Sequence, residues 1–98
     1  MPSYLVETFL ARGRAGERSA CEARARSAAE ALTREGKRVR FEGSIHVPED
    51  EICFFTFDAP SGHEAALAAQ RAEIDPLRIV EATTSREELV TYPGGAEQ

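Results

Sequence analysis

The sequence predicts an α+β domain whose elements follow in the order strand, helix, strand, strand, helix, strand. Two observations carry that prediction. The stretch from Val39 to Phe57, VRFEGSIHVPEDEICFFTF, reads as two strands folded back on each other over a short acidic turn. A strand-like and then a helix-like segment precede it, and a helix-like and then a strand-like segment follow it. With right-handed crossovers, this order gives a four-stranded antiparallel sheet in the order 4-1-3-2, with both helices on one face. The domain is expected over residues 1–84, and residues 85–98 are expected to form a polar tail.

Ser3 to Phe9 (SYLVETF) is rich in β-branched and aromatic residues and predicts the first strand. Alternation puts Tyr4, Val6 and Thr8 on one face and Leu5, Glu7 and Phe9 on the other. Ala11 to Gly16 (ARGRAG) reads as a flexible basic loop. Glu17 to Glu35 is dominated by Ala, Glu, Arg and Leu, all of them helix formers. Cys21, Ala25, Ala28 and Leu32 recur at helical spacing and mark its buried stripe, and Gly36 is placed to end it.

In the first arm of the hairpin, alternation groups Val39, Phe41, Ile45 and Val47 on one side. Arg38, Arg40, Glu42, Ser44 and His46 fall on the other, with Gly43 as a gap that marks a bulge or a close contact. Pro48-Glu49-Asp50 supplies the turn. The second arm has Cys53, Phe55 and Phe57 on one side and Ile52, Phe54 and Thr56 on the other. Apolar residues on both sides predict a central strand covered on both faces, the second cover being another copy of the chain. Ser61-Gly62-His63-Glu64 has the form of a capping box. The helix it opens runs to Ala72 or Glu73, buries Ala65, Ala68, Ala69 and Ala72, and is broken at Ile74-Asp75-Pro76. Leu77 to Thr83 (LRIVEAT) is the last strand. In the tail, Leu89, Val90 and Tyr92 are candidates to clasp a partner.

The net charge of −5 argues against a general nucleic-acid binder, which needs a surplus of Lys and Arg. Lys37, Arg38 and Arg40 form a basic cluster, which reads as a solvated strand end. No apolar run approaches the roughly 20 residues that span a bilayer, and no secretory leader is evident. Cys21 and Cys53 fit no CxxC pattern and read as free thiols in a reducing cytosol, so a cytoplasmic protein is expected. A disulfide between them would need the first helix to pack directly over the second arm.

Several short pieces, in order, resemble a small bacterial family of ferredoxin-like proteins of unknown function, some of whose members are described as nickel-binding. They are Tyr4-Leu5-Val6-Glu7, Ser44, Glu49-Asp50, Cys53 with the hydrophobics after it, Ala59-Pro60-Ser61 and Arg78-Ile79-Val80-Glu81. The resemblance covers residues 3–83. It implies the βαββαβ fold and homodimers, while a divalent metal such as nickel, described for some members, does not carry over to this chain by the resemblance alone. Members of that family often carry a histidine just before the serine of the second strand. Here that position is Gly43, and the nearest histidine is His46.

Alternation and topology together direct attention to the sheet face not covered by helices. Glu7, Ser44, His46, Phe54 and Glu81 are the candidate ligand-binding residues there, and His46 with Glu7 is the candidate metal pair. If Glu7 and Glu81 meet across neighbouring strands and are sheltered by a dimer, one becomes an acid or base. Otherwise each pairs with an arginine such as Arg40 or Arg78. His46 is a base, a metal ligand or an exposed strand-end side chain, and His63 sits exposed in a first helical turn. No nucleophile elbow, phosphate loop, paired CxxC or HExxH occurs. The expected function is a homodimer that binds a ligand or a divalent metal on the open face. The alternatives are a cofactor-independent dimeric-barrel enzyme (a cyclase, isomerase or monooxygenase) acting on an apolar small molecule, and a protein-interaction module.

Overall fold

The structure, a computed structural model, describes residues 1–83. Strands β1 (Ser3–Phe9), β2 (Arg40–Val47), β3 (Ile52–Asp58) and β4 (Arg78–Ala82) form one antiparallel sheet. Its order is β2-β3-β1-β4, which read from the other edge is β4-β1-β3-β2. Helices α1 (Arg18–Arg34) and α2 (Gly62–Arg71) complete the ferredoxin-like βαββαβ pattern. The polar tail and its Leu89, Val90 and Tyr92 lie outside the described residues.

Helix α1 packs along β2, and α2 along β1 and β4. Alternation explains the core between helices and sheet. Val6, Cys53, Phe55 and Phe57 project from the two central strands toward the helices and are fully buried there. From the helices come Ala25, Ala28, Ala29 and Leu32 of α1, and Ala65, Ala68 and Ala69 of α2, with Ala72 just beyond its end. Alanine-rich helix faces let the backbone approach the sheet closely, and Phe41, Phe55 and Phe57 fill the space between. The ring centroids of Phe41 and Phe57 are 5.4 Å apart and tilted, a favourable aromatic arrangement.

The ends of the elements follow from local chemistry. Gly36, at φ +94°, and the bond from the Lys37 amide to the Leu32 carbonyl close α1 as its sequence predicts. Thr33 Oγ1 then donates to the Val39 carbonyl at 2.8 Å and leads the chain into β2. Ser61 caps α2, but not as a full capping box: its Oγ accepts from the His63 amide at 3.2 Å, and its hydroxyl donates to the Glu64 carboxylate instead of leaving that group to reach back to the backbone. The ARGRAG segment, read as a loop, contains a short 3-10 turn over Arg12–Glu17. The Glu51 side chain holds its start, accepting from the Arg12 amide at 3.0 Å. The two helices are stapled by Arg71, which donates to both carboxylate oxygens of Glu35 at 2.6 and 2.8 Å, and by Arg24, whose Nε donates to the Ala72 carbonyl at 2.7 Å.

Candidate functional site

The face of the sheet away from the helices is the candidate site. Register decides which side chains reach it. Leu5, Glu7 and Phe9 of β1 stand opposite Thr56, Phe54 and Ile52 of β3, while Glu7 and Leu5 also stand opposite Arg78 and Val80 of β4. On the other flank, Ile45 and Val47 of β2 face Phe54 and Ile52. The result is a nearly continuous apolar surface running from Val80 through Leu5, Phe54, Ile52 and Phe9 to Ile45 and Val47. Phe9 is 58% exposed and Ile45 59% exposed. A contiguous exposed apolar surface of this kind is uncommon on a monomeric domain.

A single ion pair interrupts it. Arg78 Nε donates to Glu7 Oε1 at 2.8 Å, between residues directly opposite in the β1–β4 ladder. The Glu7 side chain is 19% exposed and that of Arg78 67%. The carboxylate is therefore sunk among its apolar neighbours while the guanidinium reaches outward. A carboxylate so paired can be covered at lower cost than a lone one. Polar groups gather at one end of the face, where Asp58 accepts from Ser3 Oγ at 2.7 Å and lies 3.4 Å from Arg40 Nη2.

Of the residues singled out from sequence, Glu7 and Phe54 lie together on this face, and Ser44, His46 and Glu81 do not. The cause in β2 is a β-bulge. Phe41 stands opposite Phe57, but Gly43 stands opposite Thr56, so Glu42 is the extra residue and every side chain after it changes face. Gly43, at φ +142°, occupies a conformation that L side chains rarely adopt, which is what the bulge requires of it. Ser44 consequently points to the helix side, where its hydroxyl donates to Glu22 of α1 at 2.5 Å. His46 stands opposite buried Cys53, and its Nε2 lies 3.2 Å from the Leu10 carbonyl. A carbonyl only accepts, so Nε2 carries the hydrogen. Glu81 stands opposite Tyr4 and shares the helix side of the sheet with it, exposed at the edge.

Glu7 and Glu81 are thus on opposite faces and form no carboxylate pair. Glu7 and His46 are on opposite faces as well, so they do not share a metal within one chain. Among the described residues, no group of three or more His, Cys, Asp and Glu side chains converges on a common point. Of the two readings of Glu7, the structure shows the one in which it pairs with an arginine, here Arg78. His63 is exposed at the start of α2, as its position in the first turn predicts.

A concavity of about 640 Å³ lies between α1 and the edge strand β2, and Arg40, at the end of the open face, is among its lining residues. Comparisons with protein-family models, with curated proteins and with solved structures give no match to this chain. Among the described residues, no helix is long and apolar enough to cross a membrane.

Proposed function

We propose that this chain works as a homodimeric binding protein, two copies meeting through their open sheet faces to make a two-layered sheet assembly. The observation that supports it is the apolar surface formed by Leu5, Phe9, Ile45, Val47, Ile52, Phe54 and Val80. Water contact with that surface is unfavourable at roughly 25 cal/mol per Å², and a two-fold partner presenting the same surface removes it for both copies at once. Glu7 and Arg78 supply a charged pair within it, beside Phe54. That point is where a small ligand carrying a polar group would be oriented between the sheets. A metal held jointly by Glu7 and His46 is not part of this reading, since the two residues lie on opposite faces.

Size-exclusion chromatography with light scattering tests the proposal. The expected result at about 50 µM protein is a mass twice the 10.7 kDa of the chain. A monomer at that concentration would refute it.

A further inference from the structure

We propose that the groove between α1 and β2 is a binding site for an organic carboxylate with an apolar body, such as a medium-chain fatty acid. The groove has a volume of about 640 Å³, within the range of small-molecule sites. Its floor is apolar: Ala29, Val39 and Phe41 line it and are buried. Its rim is cationic, with Arg26 and Arg34 from α1 facing Arg38 and Arg40 at the start of β2.

These arginines are not equivalent. Arg40 is neutralised by Glu42 at 2.5 Å and Asp58 at 3.4 Å. Among the described residues, Arg26, Arg34 and Arg38 make no salt bridge. Glu30 is the one acidic residue of the lining. Three guanidiniums that form no salt bridge among the described residues thus line one groove with a single carboxylate, Glu30, although the whole chain carries a net charge of −5. Such a concentration of one sign in a concave, low-dielectric surface focuses a positive field.

Arg26 shows how the two halves of the ligand are matched. Its guanidinium sits over the Phe41 ring, 5.3 Å from the centroid, where cation and apolar wall meet. A carboxylate takes the planar fork of arginine in bidentate fashion, and its hydrocarbon body lies along Val39 and Ala29. The other use of these side chains is to lay their stems over apolar surface with no ligand at all, which the test separates.

The test is an NMR titration of the full chain with sodium decanoate, with decyltrimethylammonium as the cationic control. The expected result is saturable shifts at the amides of Ala29, Thr33, Val39 and Phe41 with decanoate and none there with the cation. The double variant R34Q/R38Q replaces two exposed side chains and should keep its spectrum while binding decanoate at least about tenfold more weakly. The open-face variant I45K should bind as the parent chain does, so this result stands or falls apart from the dimer. Lack of saturation at millimolar decanoate, shifts centred on Leu5 and Phe54, equal binding of the cation, or unchanged affinity in R34Q/R38Q would each overturn the proposal.

Discussion

Substituting Ile45 by lysine probes the open face most directly. Ile45 is 59% exposed in the single chain, so its contribution to the fold of one copy is small. Covering that exposed fraction would recover about 1–2 kcal/mol, taking roughly 1.5–3 kcal/mol for full burial of an isoleucine side chain. Two-fold symmetry counts the side chain twice, which raises the loss to about 2–4 kcal/mol of association free energy. The dimer dissociation constant should then rise about 30- to 1000-fold. Lysine flanked by Phe54 and Val47 also brings a charge that must be desolvated, placing the effect toward the upper end. Sedimentation velocity over a concentration series reads the constant, and thermal unfolding followed by circular dichroism at low concentration reads the isolated fold. An unchanged dissociation constant would refute the assignment of this face. A collapse of secondary structure in I45K would show that Ile45 supports the chain itself.

Other expectations follow from the packing and the charges. Leu32 is fully buried against the sheet, so Leu32→Ala should destabilise the chain by about 2–5 kcal/mol in urea unfolding, with an unchanged dependence on denaturant. The Arg71 guanidinium, by hydrogen bonding, holds the Glu35 carboxyl below the usual carboxylate range. Its folded-state pKa is thus depressed, so the pair stabilises above the ordinary glutamate pKa of about 4.3 and the benefit fades as pH falls through the lower folded value. Arg71→Gln should therefore lower Tm at pH 7, with the gap to the parent narrowing as pH falls below the ordinary glutamate range. Burial pushes the Cys53 thiol up, and the side chain has no exposed surface. In a Cys21→Ser background, iodoacetamide at pH 8 should modify Cys53 at the rate of global or local opening and not at that of a free thiol, as mass spectrometry would show.

The order of elements and the helix-facing core were legible from the sequence because both rest on periodicity. Cys53, Phe55 and Phe57 alternate without interruption, and Ala25, Ala28 and Leu32 recur at helical spacing. Strand pairing inherits its order from connection lengths and handedness, which the chain also displays. The candidate site was legible only in part. Gly43 marked an irregularity, but one inserted residue reverses the facing of all that follow, and alternation carried through the bulge put Ser44 and His46 on the wrong side. Glu81 was misplaced for a different reason. The phase of β4 is set by where the chain lands after Pro76, and there the Leu77 amide donates to the Glu7 carbonyl at 2.6 Å. Nothing in LRIVEAT fixes that phase locally. The arginines at 26 and 34 share a helix side at a spacing of two four-residue steps. That signal was present in the sequence, but only the packing of α1 beside β2 brings them to Arg38.

The bulge at Glu42 and Gly43 has one more effect, on what a sticky sheet does at high concentration. Among the described residues β2 is an outer strand, the kind of border along which chains add to one another without limit. An extra residue in mid-strand and a glycine at φ +142° break the regular spacing of those groups. An incoming strand cannot keep one regular register along the whole of β2. This border is therefore a poor template for fibre-like growth, and if two copies pair through the broad face as proposed, that pair closes on itself.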